Sequence, residues 1–91
     1  MSEHYDKYRA ELDNIEPNNL GAIEDVSYKH ALAFIQEVNM VSISKIQRAL
    51  RIGYNHTERL IERMEINGFV SKPEPNGIRT LLIHHKQSEE K

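Results

Sequence analysis

The sequence has 91 residues, which is enough for one domain and too few for two independent hydrophobic cores. It contains no cysteine, which excludes disulfides, thiolate metal ligands and cysteine nucleophiles, and no apolar run approaches the roughly 20 residues that a membrane-spanning helix needs. The formal net charge of −2 is uneven: residues 1–25 hold two basic and seven acidic side chains, whereas residues 42–83 hold seven basic and four acidic ones. We therefore expect a cytoplasmic, nucleoid-associated protein in which an acidic arm precedes a basic body suited to a polyanion.

The acidic arm, residues 1–24, carries an apolar stripe at helical spacing. The stripe consists of Tyr5, Tyr8, Leu12 and Ile15. This spacing predicts a short helix capped by Ser2, followed by a linker over residues 16–24 that proline and glycine punctuate. The stripe is expected either to make contacts in a homodimer, or to belong to an arm that packs on its own core or stays disordered.

Three helices are predicted in the body. The first runs from an Asp25 cap to about Val38 and is closed by Asn39. The second starts at Ser44, which forms a capping box with Gln47. After a tight turn at Gly53, a third helix covers residues 55–67, and Asn67-Gly68 stops it.

Short β-prone runs surround these helices. They are residues 41–43, 69–72 and 78–83. The last two are separated by a turn with Asn76-Gly77, which predicts an antiparallel hairpin. The order favours an α+β, mainly helical fold: a winged helix-turn-helix of three helices and a small hairpin over residues 25–83, with a flexible tail at 84–91.

The third helix combines a core face with a polar outer face. At about 100° per residue, the core face holds Thr57, Leu60, Ile61 and Met64, and the outer face holds Asn55, Arg59, Glu62 and Ile66. In the major groove, Asn pairs with adenine and Arg with guanine. We therefore predict base contacts from Asn55 and Arg59, with His56 third. The alternative for Asn55 is a simple helix cap.

Other polar residues suit phosphate contacts in the helices or the hairpin. These are Ser44, Lys45, Arg48, Arg51, Tyr54, Arg63, Lys72 and Arg79. Such contacts fix position and make affinity depend on salt, without reading sequence. The alternative is an ordinary solvated surface, and the coincidence with the turn and hairpin favours DNA.

Other chemistry is not indicated. Adjacent histidines at 84–85 would point to opposite faces of a strand and lack a third ligand, so no metal is expected. Glu62 and Glu65 fall on an exposed flank without a pocket, and no phosphate-binding glycine loop is present. We expect no enzymatic activity and no cofactor.

The stretch SISKIQRALRIGYNHTERLIERMEINGFV closely resembles the gamma domain at the C-terminus of the bacterial DNA translocases FtsK and SpoIIIE. The matching residues are Ser42, Ile43, Ser44, Gln47, Arg48, Arg51, Ile52, Gly53, Tyr54, Asn55, Arg59, Met64, Glu65, Gly68 and Val70. Asn76, Gly77 and Arg79 are similar to the family's Asn-Gly-x-Arg wing. The resemblance implies a winged helix that reads short G-rich sequences on double-stranded DNA and, in the translocases, also contacts the XerD recombinase.

By position, the resemblance implies DNA binding by Asn55, Arg59 and Arg79. The chain departs from the family where His56-Thr57-Glu58 replaces Arg-Ala-Ala, which favours a different target sequence. We expect a free-standing bacterial DNA binder, a small regulator or accessory factor of transcription or chromosome segregation. The alternatives are a protein-interaction module that contacts a Xer-type recombinase or another DNA-bound partner, and a dimeric transcriptional repressor.

Overall fold

Helices dominate the computed structural model, which describes residues 6–83. Within that range the elements are α1 (Asp6–Arg9), a 3₁₀ turn (Leu12–Asn14), α2 (Leu20–Val38), α3 (Ile43–Leu50) and α4 (Tyr54–Ile66). Helices α2, α3 and α4 pack against one another, and α1 packs on α2 and α3. The observed architecture is a small, mainly helical fold around one core.

Helix α2 begins earlier than predicted. The side chain of Asn19 accepts a hydrogen bond from the backbone of Ala22 at 3.2 Å, so Asn19 and not Asp25 is the N-cap. Residues 20–24, which we assigned to a linker, therefore form the first turn of the helix. Its end is confirmed, because Asn39 closes α2 in the left-handed conformation at φ 60°.

Helix α3 also starts before its predicted cap. The hydroxyl of Ser42 accepts from the backbone of Lys45 at 3.3 Å, so the helix begins at Ile43. The prediction of a Ser44–Gln47 capping box is therefore wrong, and so is the prediction of β structure at residues 41–43. The helix ends at Leu50, and Arg51 turns the chain with a left-handed φ of 54°.

Helix α4 confirms the predicted division into two faces. The core-side residues Thr57, Leu60, Ile61 and Met64 are all buried. The outer-side residues Asn55, Arg59, Glu62 and Ile66 are all exposed. Two apolar residues per turn are enough to hold the helix on the core while its other side stays in water.

The predicted hairpin is reduced within the described residues to one isolated antiparallel bridge, between Val70 and Leu81. Backbone hydrogen bonds from Leu82 to Phe69 and from Ser71 to Thr80, both 2.9 Å, flank that bridge. The ladder is interrupted beyond this point because the Thr80 amide donates to the Ser71 hydroxyl instead of a carbonyl, and Pro73 has no amide. One further backbone bond, from Glu74 to Ile78 at 2.9 Å, closes the turn. The segment returns on itself without regular strands.

The N-terminal arm packs into the core. Tyr8 and Leu12 are 5% and 6% exposed, and the Tyr8 ring meets the edge of Phe34 at a centroid distance of 5.2 Å. Our suggestion that these two residues contact a second copy is therefore wrong: their apolar surface is already covered by the same chain. Ile15 packs partly against this core, whereas Tyr5 and the tail at 84–91 lie outside the described residues.

Arg9 fastens the arm to the end of α3. Its Nη1 donates to the carbonyl oxygens of Leu50 at 2.9 Å and Arg51 at 3.2 Å, and its Nε donates to Asp13 at 2.8 Å. A cation at a helix C-terminus satisfies carbonyls that have no partner in the helix and interacts favourably with its dipole. The arm therefore supports the turn that leads into α4.

Two properties of the described residues bear on other functions. None of the helices between residues 6 and 83 is long and apolar enough to cross a membrane. Over the same range, no three histidine or carboxylate side chains lie close enough together to hold a metal ion.

Candidate nucleic-acid interface

The turn between α3 and α4 places Asn55 in the first turn of α4 with its side chain unused. Gly53 is the N-cap, and Thr57 donates its hydroxyl to the Gly53 carbonyl at 2.9 Å. Asn55 is exposed, and its side chain makes no hydrogen bond to any residue in the range 6–83. The capping alternative for Asn55 is therefore wrong, and its amide can meet a ligand with both donor and acceptor.

Arg59 follows one turn later on the same side of α4. Its side chain is 60% exposed, and its Nη2 lies 3.6 Å from an oxygen of Glu24 on α2. The pair is long and exposed, so most of the guanidinium donors remain available. Asn55 and Arg59 thus form an open polar surface within the outer face of α4.

His56 is less available than the other two predicted readers. Its side chain is 18% exposed, and its Nε2 lies 3.4 Å from the Glu24 carboxylate without a hydrogen bond to any described residue. Burial lowers the pKa of His56, Glu24 opposes that shift, and Arg59 adds to it. His56 is therefore neutral at neutral pH, and it faces α2 more than solvent.

Arg63 is held by neighbours on α2. Its guanidinium lies 4.1 Å from the centre of the Tyr28 ring and 3.5 Å from Asp25. Tyr28 is itself fixed, because its hydroxyl accepts from the Asn67 amide at 2.7 Å. The stacked cation joins α4 to α2, which leaves Arg63 only partly available to a phosphate.

The residues around α3 that were predicted to contact phosphates differ in whether their side chains already have partners in the same chain. Lys45 and Arg48 form no ion pair with any residue between 6 and 83. Arg51 lies 3.4 Å from Asp6 of the arm. Ser44 is exposed with its hydroxyl 3.4 Å from that of Ser42, and Tyr54 is 53% exposed. The free cations of α3 are thus Lys45 and Arg48.

The hairpin segment, residues 69–82, contains two cations that were predicted to contact DNA, and they differ in exposure. Lys72 is exposed and has no ion pair in the described part of the chain. Arg79 is only 14% exposed; its Nη1 lies 2.6 Å from Glu65 and donates to the Ser71 carbonyl at 3.1 Å. We predicted that Arg79 contacts DNA, but in the structure it fastens the hairpin segment to α4 instead.

We expect Arg79→Ala to lower the free energy of unfolding by about 1–3 kcal/mol, because it leaves Glu65 and a carbonyl without their donor. Lys72→Ala is the matched control and should change it by less than about 0.5 kcal/mol. Urea denaturation of both variants measures the two values. Equal stabilities would contradict the role assigned to Arg79.

Sequence reasoning missed the two carboxylates in the second turn of α2 that face α4. Glu24, Asp25 and Tyr28 all face the cations of α4, at the distances given above. The assignment of residue 24 to a linker hid this arrangement. Two carboxylates followed by an aromatic residue one turn later were the signal available.

Comparison with known proteins gives a consistent result. A family model of the Ftsk gamma domain matches residues 22–84. The chain is 51% identical over 59 residues to a protein named DNA translocase FtsK 2 from Neisseria meningitidis, which covers 65% of this chain and 6% of that protein. It is 46% identical over 63 residues to DNA translocase FtsK of Rickettsia typhi, covering 69% of this chain and 8% of the relative.

A third relative matches over a longer stretch of the chain. DNA translocase FtsK of Pseudomonas aeruginosa is 42% identical over 71 residues, which cover 78% of this chain and 9% of that protein. The chain thus spans less than a tenth of the length of these translocases. The matched residues 22–84 include the turn from α3 and the outer face of α4. The chain belongs to the Ftsk gamma domain family.

Proposed function

We propose that this domain binds double-stranded DNA at specific sequences, without catalysing a reaction, by placing the outer face of α4 in the major groove. The observation that carries the proposal is the exposed Asn55 in the first turn of α4, relieved of capping by Gly53, with the exposed Arg59 one turn later. Residues of the first turns of a reading helix are the ones that approach base edges. Amide and guanidinium groups suit adenine and guanine there.

Phosphate contacts are assigned to the free cations around this helix. Lys45 and Arg48 on α3 and Lys72 in the hairpin segment are not paired with described residues, and Tyr54 is exposed at the start of α4. In a winged helix the hairpin would lie along the backbone next to the reading helix. We assign that role to residues 69–82, whose antiparallel course supports it.

Selection of bound duplexes from a random pool tests the proposal. We expect one short preferred sequence that contains guanine, with binding that weakens as salt rises. Three phosphate contacts correspond to a slope of roughly −3 in a plot of log affinity against log salt. A pool that shows no enrichment would contradict the proposal.

Replacing Arg48 checks the phosphate assignment. Arg48→Ala should weaken binding to selected and scrambled duplexes by the same factor and reduce the salt slope by about one. Lys29→Ala is the control: it removes the same charge from a side chain that lies 3.0 Å from Glu11 of the arm. We expect Lys29→Ala to leave the slope unchanged, and an equal effect of the two variants would remove Arg48 from the interface.

The second candidate is a protein-interaction module, and one observation favours it. Four of the predicted DNA-contacting cations already lie beside carboxylates of the same chain: Arg51, Arg59, Arg63 and Arg79. In this case the partner would be a Xer-type recombinase or another DNA-bound protein. Flat salt dependence of duplex binding, together with capture of such a partner at the outer face, would favour this candidate over the first.

The biological setting follows from the names of the relatives. Because those proteins are DNA translocases, we propose a role connected with chromosome segregation. A role as a transcriptional regulator would use the same DNA chemistry. Mapping the bound sites along a bacterial chromosome distinguishes the two, since segregation predicts many dispersed sites and regulation predicts a few near promoters.

A further inference from the structure

Glu24 lies where α2 approaches the reading residues of α4. It is the fifth residue of α2, and its side chain is 31% exposed. One of its oxygens lies 3.6 Å from Nη2 of Arg59 and 3.4 Å from Nε2 of His56. The Glu24 carboxylate therefore lies close to both Arg59, the predicted guanine reader, and His56.

The Arg59 guanidinium has fewer partners than that of Arg63, the other arginine of α4. Arg63 is stacked on Tyr28 and also paired with Asp25, so two groups fix its guanidinium. Among residues 6–83, Glu24 is the one carboxylate that forms an ion pair with the Arg59 guanidinium, at 3.6 Å and without a hydrogen bond. Burial lowers the pKa of His56, which favours its neutral form near neutral pH. The electrostatic attraction of Glu24 is therefore mainly to Arg59.

The pair leaves Arg59 able to read a base. A guanidinium has five N–H donors in a rigid plane, and the Glu24 contact involves only Nη2. The side chain is 60% exposed, so the remaining donors face solvent. An arginine that is already restrained by a carboxylate loses less conformational freedom when its free edge meets the two acceptors of a guanine.

We propose that Glu24 is a positioning residue that increases the discrimination of Arg59 between its guanine-containing site and other DNA. This inference rests on the DNA-binding function proposed above. On the correct site, Glu24 steadies the guanidinium while Arg59 binds guanine. On other sequences, Glu24 competes with the phosphates for the same cation and repels them, so Arg59 adds little to affinity.

The test compares two duplexes of equal length and base composition, one with the selected sequence and one scrambled. Glu24→Ala should raise affinity for the scrambled duplex by about two- to fivefold, the size of an exposed ion pair. Affinity for the selected duplex should stay the same or fall by about twofold. The ratio of the two affinities therefore falls. Alanine suits a helix, and thermal unfolding of the free variant checks that it remains folded.

Two controls separate positioning from simple loss of negative charge. Glu16→Ala removes the same charge from an exposed residue that forms no ion pair within residues 6–83, so it should shift both affinities equally and leave their ratio unchanged. In an Arg59→Ala background, Glu24→Ala should no longer alter the ratio, since the two residues would act together.

The outcomes distinguish this inference from the function on which it depends. A wild-type protein that prefers no duplex overturns both. A wild-type protein with a clear preference, combined with a Glu24→Ala ratio equal to wild type or to Glu16→Ala, overturns the role of Glu24 alone. An effect of Glu24→Ala that persists without Arg59 also overturns it.

Discussion

An Arg59→Ala variant is expected to lose most of its preference for the selected duplex. The two hydrogen bonds between an arginine and guanine contribute about 1–3 kcal/mol of discrimination, which corresponds to roughly five- to hundredfold in affinity. Affinity for a scrambled duplex should fall much less, because Arg59 is held by Glu24 and the free cations elsewhere supply the phosphate contacts. Fluorescence anisotropy with both duplexes at fixed salt measures the change.

Arg63→Ala is the matched control for this result. It removes the same residue type from the same helix, but at a position stacked on Tyr28 and paired with Asp25. We expect it to reduce stability while leaving the sequence preference within about twofold of wild type, as for a residue that makes no base contact. If Arg63→Ala abolished the sequence preference and Arg59→Ala did not, the assignment of the base contact to Arg59 would be contradicted.

Tyr8→Ala is expected to give the largest loss of stability, about 3–5 kcal/mol in the free energy of unfolding. Tyr8 is 5% exposed, and its ring packs edge-on against Phe34 in the core. Removal of the ring opens a cavity and withdraws the arm from α2 and α3. Chemical denaturation followed by circular dichroism measures the loss.

The conservative variant separates the ring from the hydroxyl. Tyr8→Phe keeps the contact with Phe34 and should cost less than about 1.5 kcal/mol. If Tyr8→Ala were as stable as wild type, the arm would not belong to the core. The apolar stripe would then again be available for a second copy of the chain.

Periodicity predicted α4 better than any other element. Four apolar or small side chains at helical spacing leave only one face that can be buried, so the exposure of Asn55 and Arg59 followed directly. The start of the helix was misplaced by one residue, because asparagine is a stronger cap than glycine and Gly53 occupies the cap.

Helix starts were less predictable where several caps compete. Asn19 and Asp25, like Ser42 and Ser44, are all good N-cap residues, and in both cases the earlier one is used. Local propensity cannot choose between them, since packing of the whole helix decides how far it extends. This difference placed Glu24 in a helix that faces the reading residues.

Long-range pairing explains the contacts of Arg79 and of the arm that local sequence patterns did not predict. Arg79 resembles a wing residue by position, yet Glu65 lies close enough in space to hold it at 2.6 Å. The apolar stripe of the arm indicated that a covering surface was needed, but its spacing could not identify Phe34, which provides part of that surface. Contacts between distant parts of the chain leave no trace in local spacing.

The structure also gives physical meaning to the departure at residues 56–58. Thr57 is fully buried and bonds to Gly53, so it serves the fold. His56 is mostly covered beside Glu24, whereas the family arginine at this position carries a permanent charge. This chain therefore has a neutral side chain where the family pattern has a cation, beside the surface that we propose contacts DNA. The proposed target is accordingly expected to differ from that of the family.

The central claim is that Arg59 reads guanine in the major groove, and 7-deazaguanine tests it most directly. This base lacks the N7 acceptor of the major groove but keeps Watson–Crick pairing and the minor groove. Substituted one position at a time in the selected duplex, it should weaken wild-type binding about fivefold or more at one position and have no further effect on Arg59→Ala. A selected site without guanine, or substitutions that leave wild-type binding unchanged at every position, would contradict the claim.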